Sequence, residues 1–297
     1  MELELWLHYP HIQQIQVDSK VLVGAVTSKR HEGYLEKWLD MVNKFTGPHD
    51  LFIVETTVDD MSYYDKLKEL DVDVVHYFWD TEKMHAYEML AETRNILRTK
   101  FLAGDYTHFL NLDTDEFVPK DTIERLLSHD KDVVGFPSPI WHNVPGVFKD
   151  GGYVQTGDGF RLATYTWDEL FTRCYDEKTQ LLRVHSVSIG CCLYKKAVFE
   201  KVFWRVPKVP PIAEDTMFYI QLEKDGFESY VDMGVIPLHL SVGWKDVPNL
   251  DQILADGRLK IAYGFVNDDE QRTVDCFGKK SSYGIAEDIP VKGSDNR

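Results

Sequence analysis

From residue 21 to 139 the chain keeps changing its hydrophobic period: short, continuous apolar runs alternate with longer stretches whose apolar residues recur every three or four positions. The first kind suits a strand covered on both faces, and the second is one stripe of a helix. VLVGAVTS (21–28), DLFIVETT (50–57), VDVVHYFW (72–79), THFLNLDTDEF (107–117) and DVVGFPSP (132–139) read as strands. Between them lie Tyr34, Leu35, Trp38, Leu39, Val42 and Phe45, then a short helix near 62–70, then a helix near 83–101 with Ala86, Met89, Leu90, Thr93, Leu97 and Phe101 along one stripe. Pro119 with Ile123, Leu126 and Leu127 opens another. This order predicts an α/β fold, a mixed, mainly parallel central sheet flanked by helices with right-handed crossovers. Ligands of such sheets bind outside the carboxyl ends of the strands, where Thr27, Glu55, Asp113 and Asp115 are expected.

Beyond residue 140 the pattern loosens. The segment 140–188 is rich in Gly and aromatics (Trp141, Gly151, Gly152, Gly157, Gly159, Tyr165, Trp167, Phe171) and reads as irregular hairpins and loops. Order returns with IGCCLYKKAVFEKV (189–202), a strand running into a helix. A helix over 216–224 follows, preceded by Glu214 and Asp215 and closed by Gly226. ESYVDMGVIPLHL (228–240) gives one or two strands ending near His239. The expected organisation is an N-terminal extension over 1–20, one domain over 21–240 with halves 21–139 and 140–240, and a C-terminal extension over 241–297. That last part holds an amphipathic segment near 250–262 and a polar end expected to be loosely ordered.

Composition bounds the partners. A formal charge of −16, from 33 basic and 49 acidic residues, opposes a nucleic-acid backbone and offers no polybasic stretch to anionic lipid. The four cysteines, Cys174, Cys191, Cys192 and Cys276, lack C-x-x-C spacing, and the adjacent pair would face opposite sides of a strand, so structural zinc and a disulfide framework are not expected. No apolar run approaches the roughly 18 residues of a membrane span, and the start MELELWLHYP lacks the regions of a signal peptide, so a cytoplasmic protein is expected.

The chemistry concentrates at 107–117, where an apolar strand ends in Asp113, Thr114, Asp115 and Glu116. Alternation along a strand would project Asp113 and Asp115 the same way. Two neighbouring carboxylates stay ionised most easily beside a cation, which points to a divalent metal with phosphates as its other ligands. Aspartate at a strand end also serves as turn or cap chemistry, so the meaning of the pair depends on its surroundings.

Four features in order, a first strand ending in Thr27, Asp113-Thr114-Asp115, Ala213-Glu214-Asp215 opening a helix, and a late His239, together resemble the GT-A fold of nucleotide-sugar glycosyltransferases, most closely the family 2-like members. Arg94-Asn95 on the helix before the metal strand adds to the likeness, which covers about residues 21–240. The resemblance implies a Mn²⁺ or Mg²⁺ ion held by Asp115 and His239 with Asp113 touching the metal or the ribose. It implies Thr27, Glu55 and Arg94 at the nucleotide, Gly190 where the backbone approaches the donor sugar, and Glu214-Asp215 as the catalytic motif with Asp215 the base. The implied activity is transfer of a sugar from a nucleoside-diphosphate sugar to a hydroxyl on a glycan, lipid, protein or small molecule, by inversion. Trp141, Trp167 or Trp244 could stack on an acceptor sugar, because aromatic faces suit carbohydrate faces. A retaining enzyme would share the metal motif and the late histidine. A sugar nucleotidyltransferase should carry a Gly-rich basic loop after the first strand, whereas TSKRHEGY has one glycine. A binding protein without turnover would have no need of Asp113, Asp115, Asp215 and His239 together.

Overall fold

The structure is a computed structural model that describes residues 19–140, 144–156, 159–206 and 213–240. The chain opens with β1 (Val21–Thr27), a 3₁₀ turn (Lys29–Tyr34), α1 (Leu35–Asn43), β2 (His49–Glu55), α2 (Ser62–Glu69), β3 (Val74–His76), α3 (Ala86–Ala103) and β4 (His108–Leu112). It continues with β5 (Glu116–Phe117), α4 (Thr122–Ser128), β6 (Val133–Gly135), β7 (Pro139–Ile140), β8 (Val144–Pro145), β9 (Val147–Thr156), β10 (Gly159–Thr164) and α5 (Trp167–Glu177). Then come β11 (Leu181–Val184), β12 (Ser186–Val187), β13 (Cys191–Lys195), α6 (Lys196–Lys201), α7 (Glu214–Lys224), β14 (Ser229–Asp232) and β15 (Leu238–His239).

An eight-stranded sheet in the order β11-β14-β6-β13-β4-β1-β2-β3 forms the centre. β1 pairs in parallel with β2 and β4, β2 with β3, and β14 with β6. β13 runs antiparallel between β4 and β6, and β11 antiparallel to β14. The sheet is therefore mixed but mainly parallel, and the reversal at β13 brings the residues preceding it, Ile189 and Gly190, to the carboxyl end of β4. A second sheet, β10-β9-β12, and two short pairs, β15-β5 and β7-β8, lie outside it.

Each face of the sheet carries its own core. Leu22, Phe52, Val54, Phe109 and Cys192 face α3, α5, α6 and α7 through Leu97, Phe101, Phe171, Phe199 and Phe218. Val21, Val23, Ile53, Leu110 and Cys191 face α1, α2 and α4 through Trp38, Leu39, Tyr63, Leu67 and Ile123. Burying each such side chain contributes about 1.5–3 kcal/mol, and burial on both faces is why these strands read as unbroken apolar runs. The adjacent cysteines divide between the two faces, as strand alternation requires.

Two local expectations change and one holds. α7 starts at Glu214, with Ala213 as its N-cap, so Asp215 lies inside the first turn rather than before the helix. The segment 140–188 contains α5, whose start is fixed by a capping box: Thr166 Oγ1 accepts from Glu169 N (3.2 Å) while Glu169 Oε2 accepts from Thr166 N (2.8 Å). Gly226, at φ +81°, ends α7 as expected, because only glycine takes that conformation without cost. Among the described residues no helix is long and apolar enough to cross a membrane. The terminal extensions, 1–18 and 241–297, lie outside the described residues, as do Trp141 and Trp244.

Candidate active site

β4 ends at Leu112, and Asp113 to Asp115 form a turn rather than more strand, closed by Glu116 N donating to Asp113 O (3.0 Å). Strand alternation therefore does not place the two aspartates, as the sequence pattern suggested; hydrogen bonds do. Asp113 N donates to Gly190 O (2.7 Å), Trp38 Nε1 to Asp113 O (3.1 Å), Asn111 Nδ2 to Asp113 Oδ1 (3.2 Å), and Leu240 N to Asp115 O (2.7 Å). The turn is thus held from α1, from the chain before β13 and from β15.

β15 pairs antiparallel with β5 so that His239 stands opposite Glu116 and Leu238 opposite Phe117. His239 Nδ1 donates to Pro139 O (2.6 Å), which leaves Nε2 facing Asp115 Oδ2 at 3.4 Å. Fixing one ring nitrogen in this way aims the other. Burial would lower the imidazole's pKa, but the carboxylates of Asp115 and Glu116 and the Pro139 carbonyl outweigh it and raise His239 to about 10. Asp115 shows the converse: burial opposes its charge, while His239, His31 and Arg30 hold its carboxyl below the usual range. Asp113 is raised, mainly by burial and by Asp115, against the pull of Arg94.

Among the described residues no three His, Cys, Asp or Glu side chains are grouped as a metal site. Asp115 and His239 form a pair. Their 3.4 Å spacing is that of an ion pair, and an octahedral Mn²⁺ or Mg²⁺ ion about 2.1 Å from each would draw the two atoms to roughly 3 Å. Two protein ligands are what a metal completed by substrate phosphates and water uses. Carboxylate and imidazole are donor types that a Mn²⁺ or Mg²⁺ ion accepts, and in the cation-free fold the two groups pair with each other.

Thr114, between the aspartates, points the other way into a buried chain of hydroxyls. Arg30 Nε donates to His31 Nε2 (3.0 Å), so the neutral imidazole donates from Nδ1 to Thr114 Oγ1 (2.6 Å). Thr114 Oγ1 meets Thr27 Oγ1 (3.0 Å), which meets Tyr63 Oη (3.0 Å). Burial, helped by Arg30, lowers His31 to about 4 despite Asp115, so it stays neutral. Thr27 thus reaches the site through its hydroxyl, tying the end of β1 to the turn at 113–115.

Glu55 is fully buried: Oε1 accepts from Thr57 N (2.6 Å) and Oε2 pairs with His76 Nδ1 (2.5 Å). It places His76 at the sheet edge, with exposed Phe78 edge-on to the imidazole at 4.1 Å between ring centres. Arg94 and Glu214 form a buried ion pair between α3 and α7, with the guanidinium 5.2 Å from the Trp204 ring centre. Burial pushes Glu214 up while Arg94 pulls it back. Arg94 Nε and Glu214 Oε2 are left without partners. Asp215, half-buried, turns its Oδ1 to Thr216 N (2.5 Å) and Thr216 Oγ1 (3.3 Å) and leaves Oδ2 outside these bonds.

A Cβ on Gly190 would lie 2.0 Å from Glu116 Oε1, so the space beside this glycine is filled by a carboxyl of the chain itself. Glu116 is fully buried, accepts from Ser138 Oγ at Oε2 (2.7 Å), and is pushed up to about 8 chiefly by burial. Trp167 opens α5, half-buried and stacked on Phe171 with ring centres 6.1 Å apart. Four residues with parts in this geometry, His31, His76, Glu116 and Trp204, carry no periodic signal that would single them out in the sequence.

No family model matches the chain, and no curated protein matches it in sequence. Among solved structures, S. aureus TarS is 15% identical, with 85% of this chain covering 41% of that one at a TM-score of 0.47. The 1–349 form of S. aureus TarS in complex with UDP is 15% identical, with 85% of this chain covering 67% of that one at 0.47. Its complex with UDP-GlcNAc is 14% identical, with 85% covering 68% at 0.44. The chain therefore spans well under half the length of TarS.

Proposed function

We propose that this protein is a GT-A glycosyltransferase that moves a sugar from a nucleoside-diphosphate donor to a hydroxyl acceptor, with inversion and with a divalent cation. The observation that carries the reading is the placement of His239. Strand β15 returns to the carboxyl end of β4, sets Nε2 3.4 Å from Asp115 Oδ2 and ties Nδ1 to Pro139 O. An imidazole aimed so closely at a carboxylate, at the edge where α/β sheets bind ligands, suits a cation–phosphate site.

In this reading Asp115 and His239 hold Mn²⁺ or Mg²⁺, and Asp113 lies beside them toward the ribose or the metal. A bound cation supplies Lewis-acid neutralisation of the departing diphosphate. Thr27 and the Glu55–His76 pair form the wall at the β1–β2–β3 end for the nucleoside. Asp215 accepts the acceptor's proton as that oxygen bonds to the anomeric carbon, and the bond from that carbon to the phosphate oxygen breaks with its electrons leaving on the diphosphate. Arg94 acts through Glu214 by fixing the first turn of α7, which carries Asp215. Trp141 and Trp167 contribute acceptor contacts.

The UDP and UDP-GlcNAc complexes of the similar structures make these the first compounds to try. Donor hydrolysis should appear with Mn²⁺, vanish with EDTA and vanish in Asp115→Ala. Equal UDP release in all three conditions would refute the metal site. Product of the same anomeric configuration as the donor, read by NMR, would refute inversion through Asp215.

A further inference from the structure

We infer that Arg30 binds the diphosphate of the donor through the outer edge of its guanidinium, and that His31 is the residue that holds it there. The inference rests on the donor site proposed above and adds to it a cation that belongs to the chain.

Arg30 lies on the 3₁₀ turn that leaves the carboxyl end of β1, and it is exposed. With 49 acidic residues against 33 basic ones, carboxylates are plentiful in this chain. Arg94, Arg125, Arg173 and Arg183 each hold one. The lysines around Arg30 do the same: Lys29 pairs with Asp60, and Lys66 lies 3.8 Å from Glu32. Arg30 itself has no carboxylate partner among the described residues. It bonds instead to an imidazole, Nε donating to His31 Nε2 at 3.0 Å. A guanidinium keeps its charge, so this choice leaves a positive charge uncompensated at the ligand edge of the sheet. The bond to His31 uses one edge of the fork. Nη1 and Nη2 remain, the pair that matches two oxygens of a phosphate.

His31 fixes where that fork stands. It is buried, stacks on Tyr34 with ring centres 5.7 Å apart, and bonds through Nδ1 to Thr114 Oγ1 at 2.6 Å, between Asp113 and Asp115. One rigid ring therefore links the turn at 113–115 to the guanidinium, and Arg30 lies within electrostatic reach of Asp115. A planar group already held at one edge loses less freedom when an anion binds the other. As the anomeric bond breaks, its electrons pass to the diphosphate oxygen. The fork donates hydrogen bonds to that growing charge and keeps its own protons.

The test titrates UDP and uridine, each with Mn²⁺ present, into the full chain by calorimetry and follows the melting temperature of each variant. Wild type should bind UDP more tightly than uridine; equal affinities, or none for either, would remove the donor site and this inference with it. Arg30→Gln, at an exposed position, should keep its melting temperature and its uridine affinity while losing about 10- to 100-fold in UDP affinity. Unchanged UDP affinity in Arg30→Gln, with the wild-type preference for UDP intact, would overturn the inference and leave the donor site standing. An equal loss for uridine would show that Arg30 serves the nucleoside or the fold, and would overturn it as well. His31→Phe keeps a ring against Tyr34 and removes both hydrogen bonds. It should weaken UDP severalfold, and should add little to the loss in an Arg30→Gln background. A full His31→Phe effect in that background would show that His31 acts through the turn at 113–115 and would overturn its role behind Arg30.

Discussion

Two acidic pairs face the candidate site, and they are built differently. After β4, Asp113 and Asp115 sit in a turn; at the start of α7, Glu214 and Asp215 sit in a helix. In each pair one carboxylate is buried against a cationic partner and its neighbour is half-buried. Asp115 has His239, and Glu214 has Arg94. The difference lies in the partner. An imidazole can give up its proton and offer a lone pair, so a metal ion can take the proton's place between it and Asp115. A guanidinium keeps its charge at any working pH, so the Arg94–Glu214 pair is permanent and fixes α7 against α3. On the proposed reading the first pair would exchange its proton for a cation, while the second holds α7 against α3. If Asp215 is the base, as proposed, it would gain from its rigid neighbour.

The largest expected effect separates the two members of the α7 pair. Asp215→Asn keeps an acceptor at Oδ1 for Thr216 N and its hydroxyl, so the helix start should survive. It removes the proton acceptor, which should slow transfer about 10²- to 10⁴-fold with donor affinity unchanged. Steady-state transfer together with donor titration checks this. Near-normal turnover would reduce both acidic residues of α7 to scaffold and erase the contrast.

Next in size is the cost of opening the permanent pair. Arg94→Met strands the Glu214 carboxylate in a buried site and should cost about 3–5 kcal/mol of folding stability, measured by urea denaturation. Asp115→Asn at the exchangeable pair should cost much less stability while abolishing Mn²⁺ binding. If the two variants lose equal stability, the division between scaffold and cation site fails.

These expectations also mark what could be read without coordinates. The strands were legible because residues such as Val21, Leu22 and Val23 are buried on both faces, and a run of that kind has few other uses. Asp113, Asp115 and Asp215 stood out as carboxylates at element ends, although the turn at 113–115 and the helix start at Glu214 changed how each is held. His239 was placed only through the resemblance, since its partner lies far away in sequence and β15 has two residues. Glu116 stood out at the strand end with the aspartates, but its surroundings were not legible, because Gly190, Ser138 and His239 reach it from three separate segments. α5 carried a readable capping box at Thr166 and Glu169, obscured by the glycines and aromatics around it.

A pH series sharpens the contrast from the other side. In the cation-free fold His239 is raised to about 10 from an ordinary value of 6.5. Its protonated form therefore stabilises the fold fully below pH 6.5, and that contribution is lost as pH rises through about 10. A metal must displace the same proton, so apparent Mn²⁺ affinity should rise with pH between about 6.5 and 8.5, by at most about tenfold per unit. His239→Ala should bind weakly with a flat profile. A flat profile in wild type would mean that His239 keeps its proton when the cation binds and that the pair is as fixed as Arg94 with Glu214.

The smallest effect is expected at Trp167, on the far side of the comparison, where neither acidic pair reaches. Its indole opens α5, half-buried, with one side against Phe171 and the apolar core. The part left exposed is what an acceptor could meet, and removing only that share of contact should raise acceptor KM severalfold, with donor hydrolysis unchanged. Trp167→Phe retains an aromatic face and should recover most of the loss, because stacking on a sugar depends on the ring more than on the indole N–H. Cutting back a partly buried side chain should also lower stability by about 1–2 kcal/mol, less than the 3–5 kcal/mol of a fully buried tryptophan. Acceptor KM, donor hydrolysis and melting temperature measured on Trp167→Ala and Trp167→Phe separate these contributions. If donor hydrolysis falls in step with transfer in both, Trp167 is a packing residue of α5 and the acceptor contact must be sought elsewhere.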